Sequence, residues 1–330
     1  MMKTTISIFV SFLTLILTFT ACSCSKEFEA VPSLYKTSEG KAIAYESYDK
    51  ALSLFSGEIT EDKIPTDYGQ THVLLSGDPA GNPIILIPGL FGDASMWYAN
   101  MGELSRYYKV YAFDMPNYGG KSQPSGKEIQ DLMDYKAWFS QVMEHYDLKE
   151  VSIIGVSYSS WLALALSREM PERISNLVLL DPSETFMPMN GGIAWKGFTS
   201  FMFFPNRNKY SKFLDWLGGG YSDSSMTVWR EHMLDVMEYG STKMFDVPQH
   251  RIFAPDELTM VNMPVLILAG GKPILYEDPK EFKAAALKTL PHAEVEIVAG
   301  CGHGLNMEKP AEVNQRIITF LNGNLMSSKL

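Results

Sequence analysis

The chain has 330 residues, 46% of them hydrophobic, which suits one large α/β domain or two small ones with an ample buried core. Its 28 Lys and Arg stand against 38 Asp and Glu for a formal charge of −10, and no basic run is present to line a phosphate backbone, which argues against a nucleic-acid partner. The three cysteines, Cys22, Cys24 and Cys301, supply no disulfide framework, and Cys301 reads as a small buried apolar residue.

The chain opens with Met1-Met2-Lys3, an apolar stretch from Ile6 to Ala21, and then Cys22, the layout of an export signal over residues 1–21. The stretch is short for a spanning helix, which needs about 20 apolar residues, so cleavage is expected rather than retention as an anchor. Phe19-Thr20-Ala21-Cys22 resembles a bacterial lipoprotein cleavage box, with Phe where Leu is more usual. It implies lipidation of Cys22 and attachment to the outer face of a bacterial cell membrane, with plain secretion as the alternative. A single acyl chain anchors only marginally, so firm attachment needs further acylation. Residues 22–50 read as a tether, and residues 51–330 as the folded domain.

Val73 to Ser76 and Ile84 to Ile87 read as strands joined by Gly77-Asp78-Pro79-Ala80-Gly81, which predicts a hairpin at one sheet edge. Val110 to Phe113, Val151 to Ile154, Leu177 to Leu180, Val265 to Ala269 and Val295 to Val298 are brief apolar runs, as expected of strands covered on both faces. Between them lie helical patterns over Ile129 to His145, Ser159 to Met170, Lys280 to Leu290 and Ala311 to Leu321. The alternation predicts an α/β fold with a mostly parallel sheet flanked by helices. Phe186 to Asn262 breaks it, and its Met187, Met189, Trp195, Phe198, Phe201, Met202, Phe203, Phe204, Phe213, Trp216 and Trp229 predict a helical cap inserted before the penultimate strand. Most of these side chains are expected to hold the cap to the body, and a minority to face a substrate pocket.

The chemical signal is Gly155-Val156-Ser157-Tyr158-Ser159, where a strand runs into a helix through Gly-x-Ser-x-Ser. Such an elbow holds its Ser in a strained conformation above the sheet and needs small neighbours, and Ser159 is small enough to replace a second Gly. Taken alone, Ser157 would equally serve as a helix cap. Two further loops reduce that alternative. Ile87-Pro88-Gly89-Leu90-Phe91-Gly92 ends an early strand, and Gly302-His303-Gly304 follows the last one, so Ser precedes His along the chain.

These stretches, with Asp114 to Ser122 and Pro171-Glu172-Arg173-Ile174, resemble the α/β-hydrolase superfamily from about Thr71 to Leu321, and within it the capped bacterial carboxylesterases. The resemblance implies that Ser157 is the nucleophile, His303 the general base, and the amides of Leu90 and Tyr158 the oxyanion hole. It departs from the family at Pro88, where His is frequent, and after Val265 to Ala269, where Gly270-Gly271-Lys272-Pro273 replaces the usual acid. The acid is then Asp181, directly after Leu177 to Leu180, or else Glu277 or Asp278 farther on.

The expected reaction is hydrolysis of a carboxylic ester with an apolar acyl or alcohol part through an acyl-enzyme. The alternatives are an aminopeptidase or amidase using Asp223, Glu231, Asp235 or Glu238 to hold an amine, and a surface lipoprotein that binds an apolar ligand without turnover. Glu308 and Asp114 read as loop supports. His72, His145, His232, His250 and His292 lack ligand spacing, so no metal is expected, and no dinucleotide fingerprint implies a cofactor.

Overall fold

The computed structural model describes residues 34–327 apart from 126 and 219–223; the export signal, Cys22, Cys24 and Asp223 lie outside the described residues. In chain order come α1 (Ser38–Leu52), β1 (Thr60–Thr66), β2 (Gly69–Ser76), β3 (Pro83–Ile87), α2 (Met101–Leu104), β4 (Lys109–Phe113), β5 (Gln123–Pro124), α3 (Leu132–His145), β6 (Val151–Val156), α4 (Tyr158–Glu169) and β7 (Ile174–Leu180). Then follow α5 (Gly191–Phe201), α6 (Arg207–Leu217), α7 (Ser224–Tyr239), β8 (Val265–Gly270), α8 (Pro279–Thr289), β9 (Glu294–Val298), α9 (Leu305–Glu308) and α10 (Pro310–Ser327).

The strands form one sheet in the order β1-β2-β4-β3-β6-β7-β8-β9, with β5 paired to β2. From β4 to β9 all neighbours run parallel, while β1, β2 and β5 join antiparallel. Alternate residues face opposite sides. Ile85, Ile153, Leu177 and Ile267 enter one hydrophobic cluster with α3, α4 and α8, whereas Ile84, Ile154, Val178 and Leu266 enter the other with α10 and the cap. Burial on both faces explains why these strands read as unbroken apolar runs.

Two expectations fail. β2 does not pair with β3, because β4 lies between them, and the hairpin at that edge is instead β1 with β2, turning at Asp67 and Tyr68. Half of the expected tether is helix α1, capped by Thr37, whose side chain accepts from the Gly40 amide. Its buried stripe of Gly40, Ala44, Ser47, Tyr48 and Ala51 lies on α7, and Gly40 comes so close that a Cβ there would meet Tyr239 Cβ at 2.8 Å.

Helices α5, α6 and α7 lie between β7 and β8. Phe213 and Trp229 from this segment line a cavity, but Trp195, Met202, Phe203 and Phe204 face solvent rather than joining cap to body, contrary to the sequence reading.

Candidate active site

β6 and β7 pair with Val156 opposite Leu180, so the next residues, Ser157 and Asp181, leave the sheet side by side. Ser157 has φ 57° and ψ −120°, a conformation that non-glycine residues adopt only when their surroundings impose it. Those surroundings are explicit: its amide donates to Leu180 O at 2.9 Å, and its carbonyl accepts from the Ser160 amide at 3.0 Å. The side chain makes no capping bond to α4, so Ser157 is not a helix cap but a hydroxyl aimed into a cavity.

Small residues make the elbow possible. A Cβ on Gly155 would meet Ser159 O at 2.4 Å. Ser159 does more than occupy little space. Its hydroxyl donates to Pro88 O at 2.5 Å and meets Tyr118 Oη at 2.9 Å, tying the elbow to the loop after β3. That loop turns on Gly92 N–H donating to Gly89 O at 2.9 Å, with Phe91 at φ 64°. Neither the Leu90 amide nor the Tyr158 amide, the first of α4, finds an acceptor among the described residues. Two unsatisfied donors therefore flank Ser157, and Pro88 contributes its carbonyl where the family often has a His side chain.

His303 follows β9, and its Nδ1 lies 2.7 Å from Asp181 Oδ2. Its amide donates to Leu217 O of α6 at 3.0 Å, and the Gly302 amide before it donates to Glu308 Oε2 at 2.9 Å. Burial pushes the Glu308 carboxyl above its usual range. Asp181 is buried at φ 44°, its amide donating to Leu268 O at 2.7 Å and its Oδ1 accepting from the Gly270 amide at 3.0 Å. The other candidates stand elsewhere. Asp278 caps α8 by accepting from the Lys280 amide at 2.8 Å, and Glu277 is exposed.

The loop after β8 carries no acid where the resemblance expects one, and its backbone packs closely on the next loop. Gly271 N–H donates to Val298 O at 2.9 Å and Lys272 N–H to Cys301 O at 3.0 Å, while a Cβ on Gly270 would strike Gly302 O at 2.3 Å. The segment is laid flat on the His303 loop, and the carboxylate comes from β7 instead. Cys301 is fully buried there, its thiol pushed up to about 11 by burial.

Ser157 and His303 face one cavity of about 180 Å³, lined by Met96, Ile193, Phe213, Trp229, Met233 and Met307 among others. The lining is overwhelmingly apolar, which suits an apolar substrate part. The carboxylates considered as amine holders are elsewhere: Arg207 engages Glu231, Asp235 and Glu238, and none of the three lines the cavity. No group of three His, Cys, Asp or Glu among the described residues is arranged to hold a metal.

Sequence reasoning missed a buried polar array behind the oxyanion loop. His232 of α7 places Nε2 2.7 Å from Asp93 Oδ2 and Nδ1 2.9 Å from Ser47 Oγ of α1. Burial opposes ionisation of Asp93, but His232 and Ser95 outweigh it and hold the carboxyl below its usual range. Nearby, Asp114 accepts from the Ala94 and Lys121 amides, both at 2.7 Å, and from Tyr48 Oη at 3.2 Å, and meets His72 Nδ1 at 2.7 Å, which makes it the loop support expected.

Residues 84–316 match the alpha/beta hydrolase family. The carboxylesterase nap of Bacillus subtilis is 28% identical over 303 residues, covering 88% of this chain and 96% of that protein. Carboxylesterase YbfK of the same organism is 27% identical over 294 residues, covering 85% and 94%. The crystal structure of the B. subtilis naproxen esterase superposes with a TM-score of 0.78 at 28% identity, over 87% of this chain and 99% of that one. That of carboxylesterase CesB (YbfK) superposes with a TM-score of 0.79 at 25% identity, over 86% and 99%.

Proposed function

Because the chain belongs to the alpha/beta hydrolase family, we propose that it cleaves carboxylic esters as a carboxylesterase-like serine hydrolase, through an acyl-enzyme on Ser157. The observation that carries this reading is the His303 Nδ1 to Asp181 Oδ2 contact of 2.7 Å on a histidine that opens onto the same cavity as Ser157. With a carboxylate on Nδ1, the Nε2 atom of His303 is left to take the Ser157 proton as Oγ attacks the ester carbonyl. The oxyanion then forms between the free amides of Leu90 and Tyr158, each contributing roughly 3 kcal/mol to the transition state. His303 passes the proton to the leaving alcohol, and water activated by the same base releases the acid.

Among the described residues, the carboxylates considered for holding a substrate amine do not favour the aminopeptidase alternative, since Glu231, Asp235 and Glu238 are committed to Arg207. The non-catalytic alternative rested on a missing acid, and Asp181 stands in the position to serve as one. Labelling with a fluorophosphonate probe tests the proposal. Wild-type protein that takes no label and turns over neither short nor medium acyl esters would leave ligand binding as the function.

On the layout of its first 22 residues, we also propose that the chain is exported and anchored through acylated Cys22. Mass spectrometry of the N-terminal peptide decides it, and an unmodified Cys22 in a secreted product would overturn it.

A further inference from the structure

Helix α5 has two faces with different neighbours. Inward, Ile193 lines the cavity beside Ser157, and Phe201 stacks on Phe91 of the oxyanion loop with ring centroids 5.5 Å apart. Outward, Trp195 of α5 and Met202, just past its end, are each 67% exposed, and Phe203 and Phe204 of the following turn are 58% and 82% exposed. Four large apolar side chains so close together in the chain form a surface that water disfavours and that proteins keep for a partner.

The charge around this surface narrows the partner. In a chain of net charge −10, Thr185 to Leu214 contains Lys196, Arg207, Lys209 and Lys212 and no Asp or Glu. Arg207 is occupied by its three carboxylates, but Lys212 is exposed, Lys196 is exposed with its ammonium 5.1 Å above the Trp216 ring, and Lys209 donates to the carbonyl of Phe203 within the patch. A second copy docking through the same face would set lysines against lysines. Phe204, jutting out with four-fifths of its surface free, inserts more readily into a fluid layer than into a rigid complementary surface.

The chain's path leads to the same place. Tyr35 bridges Gly240 at the end of α7, and Lys36 lines one cavity with Phe201 and Pro205, the residue after Phe204. Cys22 lies twelve peptide steps before Leu34, a reach of at most about 40 Å.

From these observations we propose that the outer face of α5 and the turn at 202–204 dock on an anionic lipid bilayer, from which an apolar ester passes into the cavity at Ser157. The substrate half rests on the esterase reading, whereas the docking half does not. Aromatic rings at the acyl boundary with lysines beside them at the level of anionic headgroups form the usual interfacial arrangement.

The test places the full chain on vesicles of phosphatidylcholine and phosphatidylglycerol in equal parts, with acyl chains brominated to quench tryptophan. Quenching is expected in the wild type and largely absent in Trp195→Phe. In a second arm, Phe203→Ser with Phe204→Ser is expected to lower turnover of a long-chain ester carried in the vesicles about a hundredfold, roughly tenfold for each of the two rings withdrawn from the lipid, and to leave a water-soluble short ester unchanged. Equal quenching in wild type and Trp195→Phe would overturn the proposal, as would a dimer in detergent solution that Phe204→Ser dissociates. Quenching of Trp195 in a protein without esterase activity would sink the esterase reading and leave the docking standing. Esterase activity without quenching would do the reverse.

Discussion

Asp181→Asn is the sharpest perturbation the site allows. Asn tolerates positive φ as Asp does, so the backbone at φ 44° is not newly strained, and the side-chain volume is kept. What changes is hydrogen bonding. Asp181 accepts twice, from the Gly270 amide through Oδ1 and on the His303 ring through Oδ2, and Asn has only one acceptor oxygen. With that oxygen kept by the fixed Gly270 amide, the Asn NH₂ faces Nδ1 and forces the proton to Nε2, where the base must be free. Asp181 and His303 are buried, so water does not readily repair the contact. The expected loss is about 10⁴-fold in kcat, or about 5 kcal/mol in activation free energy. Steady-state turnover of a chromogenic ester measures it, with circular dichroism and thermal unfolding confirming the fold. Asp278→Asn keeps a good helix cap and Glu277→Gln changes an exposed residue, so both should retain near wild-type activity. An active Asp181→Asn, or an Asp278→Asn that proves the damaging change, would refute the assignment.

Ser157→Ala and His303→Ala should each remove ester turnover and probe labelling, because members of a triad act as a unit; Ser157→Ala should leave the melting temperature nearly unchanged, whereas His303→Ala should lower it, since the buried Asp181 Oδ2 loses its partner. Ser159→Ala leaves the Pro88 carbonyl and the Tyr118 hydroxyl without their partner; a loss of roughly 2 kcal/mol in denaturant unfolding is expected, with kcat falling more than KM changes as the oxyanion loop loosens. His232→Ala leaves the Asp93 carboxylate buried and unpaired and should cost about 3–5 kcal/mol, read by the urea midpoint. Burial opposes charging of His72, yet Asp114 and Glu61 outweigh it and raise its pKa. Its stabilisation is therefore complete below the unfolded value of about 6.5 and lost as pH rises through the higher folded value. The stability gap between wild type and His72→Gln should accordingly be widest in mild acid and narrow toward alkaline pH.

Much of this site was readable because its parts sit at ends of apolar runs. Ser157 follows Val151 to Val156, and Leu90 and His303 lie in short loops after strands, so local pattern and chain order, together with the family resemblance, pointed to residues that the fold brings to one cavity. The acid was ambiguous, because which carboxylate reaches His303 depends on β7 and β8 being neighbours and on Gly270 lying against Gly302, neither of which is a local property. The β2–β3 hairpin misled for a related reason: two strands and a turn look alike whether they pair or a third strand comes between them. Helix α1 was hidden because its buried stripe is built of Gly, Ala, Ser and a single Tyr, which carry too little hydrophobicity to mark a face. The Ser47, His232 and Asp93 array joins positions from three distant stretches, and no spacing rule connects them.

The array has a bearing on where this protein begins as a physical object. The family-like span is 84–316, yet Asp93 and His232 inside it are covered by Ser47 and Tyr48 outside it, and Asp114 depends on Tyr48 and on His72 of β2. A chain trimmed to that span would open the Asp93–His232 contact to water behind the oxyanion loop and strip the sheet of β1 and β2. The family model's span and the foldable unit thus draw different borders here: the model matches the inner span, whereas autonomy also requires α1, β1 and β2.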